Sequence, residues 1–254
     1  DLVRSRGLGD VYKRQMLYLD NAATTPLLPE VRKVMINYMV DNFGNPSSIY
    51  KIGRMNKIAV EEARKSIAKT IGACPDDIFF TSGGTESDNW VLESAAESAT
   101  ESDSAHIIVS AIEHPAVINK CIQLKKRGCD VDYIKTDKNG IINTDDLISK
   151  IRDDTKLISV MLVNNEIGTI QPVKNVCNIA AEYAIPVHTD AVAAYGHIPV
   201  NVKELGVDYL SVSAHKIGGA KGTGFLYAKA ANINPYIYGC LLYTSPSPRD
   251  RTRS

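Results

Sequence analysis

The sequence predicts an α/β fold: a mostly parallel mixed sheet with helices on both faces. Two observations carry the prediction. Short apolar runs alternate with longer amphipathic stretches along the middle of the chain. The breaks between them fall at turn and cap residues such as Gly128, Asn139-Gly140 and Pro172. Strands that alternate with helices need crossover connections, and those cover both faces of a largely parallel sheet.

The elements follow in order. Residues 78–81 (IFFT) read as a strand, 82–86 (SGGTE) as a turn, and a helical pattern then runs to about Ala99. Residues 106–110 (HIIVS) are a second strand. Residues 115–127 form a helix with Val117, Ile118, Cys121, Ile122 and Leu124 on its apolar face, ended by Gly128. Residues 131–134 are a strand and Lys138-Asn139-Gly140 a turn. Thr144-Asp145-Asp146 caps a helix to about Arg152. Residues 157–163 are a buried strand by their apolar run. Pro172 opens a helix to about Tyr183. Residues 185–188, 209–212 and 224–228 are the remaining strands. The stretch 93–104, rich in Glu, Ser and Ala, reads as a solvated helix end and loop.

Three segments organise the chain. Residues 1–15 are polar and lack periodicity, and 240–254 end in ten residues of Ser, Pro, Arg, Asp and Thr only. Both resemble adaptor sequence and stand outside the fold in this reading. Residues 16–239 are one domain. The 254 residues carry 29 basic and 29 acidic side chains. With four basic and two acidic residues in 1–15 and three and one in 240–254, residues 16–239 have a net charge of −4. That argues against nucleic acid as a partner. No window approaches a transmembrane length, so no membrane role is expected. The five cysteines are odd in number and show no C-x-x-C spacing, which fits reduced thiols in the cytoplasm. No metal site is expected.

Four places carry chemistry, each at the C-terminal end of a predicted strand, where open α/β sheets bind ligands. Ser82-Gly83-Gly84-Thr85 joins a strand to a helix N-terminus. It is either an anion site, most naturally for phosphate, or an ordinary capped helix start. Glu113-His114-Pro115 places an imidazole at a helix start, where it can stack on a flat ligand, shuttle a proton or simply cap the helix. In His188-Thr189-Asp190 the carboxylate can hold a positive nitrogen or serve as a helix N-cap. The fourth is Ser213-Ala214-His215-Lys216, followed by Gly218, Gly219, Gly222 and Gly224. Burial of a lysine here favours the neutral, nucleophilic amine, with Ser213 and His215 as hydrogen-bond donors; the alternative is a solvent-facing lysine. Together they ask for a phosphate, a flat ring, a protonated nitrogen and an amine that bonds a carbonyl. That list describes pyridoxal phosphate (PLP).

Seven stretches then carry a family resemblance: YLDNAATTP (18–26), FGNPSS (43–48), FTSGGTESDN (80–89), EHPAV (113–117), VNNEIGTIQPV (163–173), HTDAV (188–192) and SAHKIGGAKGTGFLY (213–227). Residues 16–239 resemble the class V, fold-type I PLP enzymes, and among them the cysteine desulfurases of the NifS/IscS kind. The resemblance implies a PLP-binding large domain with its N-terminal arm. In it Lys216 bonds the cofactor, and Gly84, Thr85, Ser213 and His215 hold its phosphate. His114 stacks on the ring and assists proton transfer, Asp190 pairs with the ring nitrogen, and Asn165 approaches the phenolic oxygen. The implied reaction takes L-cysteine to L-alanine and leaves a persulfide on an enzyme cysteine. Its sulfur goes to scaffold proteins of iron–sulfur cluster assembly, and the enzyme is a cytoplasmic homodimer.

There are departures. Ala193 stands where the family has Gln, and Ala220 where it has Pro. The match stops at Tyr238-Gly239, so the small domain is expected to be absent and the chain, as a fragment, inactive by itself. Cys240 is not accepted as the persulfide cysteine, and Cys74, Cys121, Cys129 and Cys177 read as small buried or half-buried residues. Two other readings stay open. One is another class V enzyme, a selenocysteine lyase or an aminotransferase. The other is a non-catalytic PLP-fold binding protein, which Ala193 favours.

Overall fold

A computed structural model describes residues 17–98 and 105–237. The expectations for 1–15, 99–104, Tyr238-Gly239 and 240–254, Cys240 included, lie outside the described residues. Seven strands form one sheet: β1 (Ile78–Thr81), β2 (His106–Ser110), β3 (Asp130–Ile134), β4 (Thr155–Ser159), β5 (Val187–Asp190), β6 (Tyr209–Ser213) and β7 (Gly224–Ala228). Their order is β1-β7-β6-β5-β4-β2-β3. The run from β3 to β6 is parallel, and β7 is antiparallel to both β6 and β1. Two antiparallel steps restore the direction. The C-terminal ends of β1, β2, β5 and β6 therefore share one edge, the edge the four chemical motifs need.

Alternation along the strands builds two cores. Ile107 and Val109 of β2, Leu157 of β4 and Leu226 of β7 face α3 (Gly84–Glu97) and α4 (Pro115–Lys126). Ile108, Ile158, Val187, Leu210 and Phe225 face the other way. There they meet α2 (Lys51–Ile71), α5 (Thr144–Lys150), α6 (Val173–Glu182) and α7 (Val202–Leu205). Helices thus cover both faces, as the sequence predicts. The fold also contains α1 (Pro29–Val40) and α2, which the sequence reading left unassigned. Helix α1 buries no residue, so its apolar side chains have no core periodicity to display. Helix α2 has a readable stop signal, Gly72 at φ +70°.

Several boundaries move for identifiable reasons. Strand β5 starts at Val187, not Ile185, because Ile185 N–H closes α6 on the Ala180 carbonyl and Pro186 has no N–H. It runs through Asp190, which pairs in register with Ser211. Strand β4 ends at Ser159, but Val160 and Leu162 still donate to the β5 carbonyls of His188 and Asp190. The cap of α5 is Asn143 rather than Thr144. Its side chain accepts from Asp145 N–H and Asp146 N–H. Cys121 and Cys177 are buried and Cys129 half-buried, but Cys74 is exposed, a correction to the expectation. It precedes the 3-10 turn Pro75–Asp77, outside either core.

One aromatic residue ties α3 to the end of the described chain. Trp90 is fully buried, edge-on to Phe79 at 5.5 Å and stacked with Tyr236 at 6.4 Å. Its Nε1 donates to the Asn234 carbonyl at 2.6 Å. Trp90→Ala is expected to destabilise the fold by about 3–5 kcal/mol, a loss of packing plus an orphaned carbonyl. Urea unfolding followed by circular dichroism checks this, since Trp90 is the sole tryptophan.

Candidate active site

The anion cradle follows from β1. The chain leaves the sheet at Thr81 and turns through Gly83 at φ +147°, a conformation that excludes a side chain. A Cβ on Gly84 would lie 2.5 Å from Val192 Cγ2, and one on Gly224 only 2.6 Å from Gly83 Cα. The turn therefore lies directly on the sheet. The first hydrogen bond inside α3 is Ser87 N–H to the Gly83 carbonyl at 3.2 Å. The N–H groups of Gly84, Thr85 and Glu86 have no acceptor within the helix. They point, with the helix dipole, into the space beside β6.

Lys216 sits at the end of the 3-10 turn Ala214–Lys216 that follows β6. It is half-buried, and its Nζ donates to the Ala22 carbonyl at 2.7 Å. Residues 20–28 strap this loop down. Thr25 N–H and Thr25 Oγ1 both donate to the His215 carbonyl at 2.8 Å. Thr25 Oγ1 also accepts from Gly218 N–H at 2.7 Å, and Leu28 N–H donates to the Gly218 carbonyl at 2.9 Å. Gly218 has φ +79°, and a Cβ there would meet Leu28 Cγ at 2.4 Å. His215 Nδ1 lies 3.1 Å from Thr24 Oγ1, and burial, then the Lys216 and Lys221 charges, lower its pKa. The sequence reading quoted residues 18–26 for the resemblance but drew no chemistry from them. Polar side chains in a short N-terminal arm were the available signal.

The remaining candidates come from β2, β4 and β5. His114 is the N-cap of α4, its Nδ1 accepting from Ala116 N–H at 3.1 Å. The capping reading and the cavity-lining reading both hold for this residue. A ring that accepts at Nδ1 is left with its proton on Nε2. Asp190 is not a helix cap. It ends β5, and its Oδ1 accepts from Val192 N–H at 2.8 Å in a turn. Burial raises its pKa, against the Val192 N–H and the positive field of Lys216. Asn165 is held at the cavity wall by the loop after β4, in which buried Asn164 accepts from Glu166 N–H and Ile167 N–H. Next to His114, buried Glu113 accepts from Ser110 Oγ at 2.5 Å and Met161 N–H at 2.7 Å. Burial still pushes its pKa up to about 8.

These elements enclose one cavity of about 650 Å³. All eight residues expected from the sequence line it: Gly84, Thr85, His114, Asn165, Asp190, Ser213, His215 and Lys216. It is also lined by Asp20, Ala22, Asp88, Met161 and Glu166, which the sequence reading passed over. Ala193 is in the wall too, and offers no side-chain hydrogen bond. Phosphate-type donors, a buried carboxylate, an imidazole and a primary amine thus converge around a space large enough for a flat, charged ligand.

The comparisons with known proteins agree with this geometry. The family model described as aminotransferase class-V matches residues 17–253. A cysteine desulfurase IscS of Methanosarcina thermophila is 50% identical over 228 residues, covering 89% of this chain and 56% of that protein. One of Dictyoglomus turgidum is 52% identical over 227 residues, covering 89% and 57%. The chain thus spans little more than half the length of these curated relatives. Among solved structures, a NifS-like protein superposes with a TM-score of 0.87 at 39% identity, over 91% of this chain and 64% of that one. SspA in complex with cysteine gives 0.86 at 37%, over 92% and 70%. The family model covers nearly the whole chain, and the chain belongs to the aminotransferase class-V family.

Proposed function

We propose that the cavity binds pyridoxal phosphate on Lys216 and that the protein is a cysteine desulfurase, taking L-cysteine to L-alanine and passing the sulfur on as a persulfide. The observation that carries this is the convergence of all eight residues on one cavity. The residues fit the cofactor. The acceptor-free N–H groups of Gly84 and Thr85, with Ser213 and His215, suit a phosphate. A glycine cradle leaves no room for a side chain there. Buried Asp190 is an anion in need of a cation, which a protonated ring nitrogen supplies.

When bound, the cofactor supplies an electron-withdrawing ring that stabilises the charge left at the substrate Cα on loss of its proton. The chain's residues do the rest. Asp190 holds the proton on the ring nitrogen. His114 packs against the ring and moves a proton through Nε2, its Nδ1 being occupied by Ala116 N–H. Lys216 contributes the amine that attaches the cofactor, and the strap of residues 20–28 fixes where that amine sits. None of the four described cysteines lines the cavity, and burial pushes the Cys121 and Cys177 thiols up to about 12. The sulfur acceptor is accordingly none of these four.

A second copy of the chain and sulfur-accepting scaffold proteins are the proposed partners, in the cytoplasm. Exposed Val34, Ile36, Met39 and Val40 on α1, with Phe43 beyond it, support burial against a second copy. Among the described residues no helix is long and apolar enough to cross a membrane. The test is direct. One sample of the chain is incubated with PLP, reduced with borohydride and mapped by peptide mass; a separate, unreduced sample is assayed for alanine from L-cysteine. The expected result is one cofactor on the peptide bearing Lys216; alanine matched by released sulfur is expected only where the chain is part of a protein of the relatives' full length. A cofactor on another lysine overturns the site, and no uptake favours a non-catalytic binding fold.

A further inference from the structure

Helix α3 carries a second carboxylate into the floor of the same cavity. Asp88 is 1% exposed, and among the described residues neither of its oxygens has a hydrogen-bond partner of standard geometry. Beneath it lies a polar strip on the α3 face of the sheet. His188 Nδ1 is 2.8 Å from Ser159 Oγ, and His188 Nε2 is 2.9 Å from Ser211 Oγ. The same Nε2 is 3.5 Å from Asp88 Oδ1. Ser211 is the register partner of Asp190, and His188 stands two residues before Asp190 on the same face of β5. Asp88 and Asp190 thus both line the cavity floor, with buried His188 beneath them. Two ionised aspartates there repel one another in a site with little solvent to screen them.

The two aspartates are not equivalent. Asp190 accepts the Val192 N–H and faces the positive field of Lys216. Asp88 faces the carboxyls of Asp190 and Glu113, with only the Ser211 hydroxyl to favour its anion. His188 cannot take the proton, since burial pushes its pKa down to about 3. We propose that Asp88 is a positioning residue of this site: it carries the single proton of the buried Asp88–Asp190 pair and keeps Asp190 the lone anion facing the cofactor's ring nitrogen. This rests on the proposed function, in which Asp190 receives that nitrogen. Were Asp88 to ionise, its repulsion would drive a proton onto Asp190 and remove the partner the ring nitrogen needs.

Infrared spectroscopy of the cofactor-free chain tests this. In a Glu113→Gln background at about pH 7, where ordinary carboxyls are ionised, the chain is expected to retain one carboxylic-acid carbonyl band that shifts in D2O. Adding Asp88→Asn removes the band. A Glu113→Gln chain without the band, or a band that survives Asp88→Asn and vanishes with Asp190→Asn, overturns the proposal. If Asp88→Asn does not fold, NMR of wild-type chain labelled with 13C at the aspartate carboxyls replaces it. One un-ionised aspartate at that pH is expected, and none overturns. A chain with the band that takes up no PLP overturns the proposed function alone. A chain that loads PLP on Lys216 but lacks the band overturns the role of Asp88 alone.

Discussion

Lys216→Ala is expected to end covalent capture of PLP: borohydride attaches no cofactor to the variant and one per chain to the wild type. Alanine formation from L-cysteine by the active protein falls by about a thousandfold or more, the range in which loss of a positioned proton-transfer or nucleophilic group lies. The fold survives the change. The lysine head makes one hydrogen bond, to the Ala22 carbonyl, worth about 0.5–1.5 kcal/mol. The backbone of the loop is held instead by Thr25 and Leu28. Lys216→Arg separates charge from chemistry. It keeps a cation in the cavity but offers a guanidinium that stays protonated, so it too captures nothing. Capture by either variant, at a mapped second lysine, would remove Lys216 from the site.

The second large effect is on stability against pH, and two buried groups set it in opposite directions. The Glu113 pKa is raised from 4.5 to about 8 by burial. Between those values the folded chain keeps a proton that the unfolded chain has released, so stability falls as pH rises from 4.5 to 8. His188 is the reverse, lowered from 6.5 to about 3. Its contribution is fully present above 6.5 and is lost as pH falls toward 3. Each span corresponds to about 4–5 kcal/mol at the exchange rate of roughly 1.4 kcal/mol per pKa unit. Between 4.5 and 6.5 these two slopes cancel one another, while the proton kept by buried Asp88 adds its own fall in stability as pH rises. Glu113→Gln should flatten the alkaline side, gaining about 4 kcal/mol at pH 8 relative to its own value at pH 4.5 compared with wild type. His188→Asn should flatten the acid side, whatever it loses in packing. Urea unfolding across pH 3.5 to 8.5 reads both, and a Glu113→Gln curve parallel to wild type contradicts the assignment.

The candidate site was legible to the extent that its chemistry is local. Ser82-Gly83-Gly84-Thr85 announces a strand-to-helix turn because glycine before a helix start is a backbone requirement, visible in four letters. Lys216 stands out because a lysine after an apolar strand, followed by glycines, is a poor surface residue. Asp190 and His114 were readable as strand-end polar groups, though not which of two roles each plays. His114 caps α4 and also lines the cavity, and Asp190 ends a strand two residues later than expected. Asp88 and Glu113 were not read as special. On α3 and beside a helix cap, an acidic residue is ordinary, and only the burial of these two makes them unusual.

By itself the sequence determined the class of fold, the helix and strand alternation from 78 to 228, and the set of residues able to hold a phosphate, a ring nitrogen and a carbonyl. Those follow from periodicity, capping and residue chemistry, which act over a few neighbours. Only the tertiary structure decided the strand order, with β1 and β7 side by side and both reversed steps returning β1 to the common direction. It decided that the carbonyl of Ala22, 194 residues before Lys216, accepts the lysine's hydrogen bond. It placed Asp88 over His188 and Asp190, in a pocket dry enough for one proton to matter. Such contacts join segments distant in the chain. Their energies come from burial and from charge in a low dielectric, and neither exists until the sheet has closed.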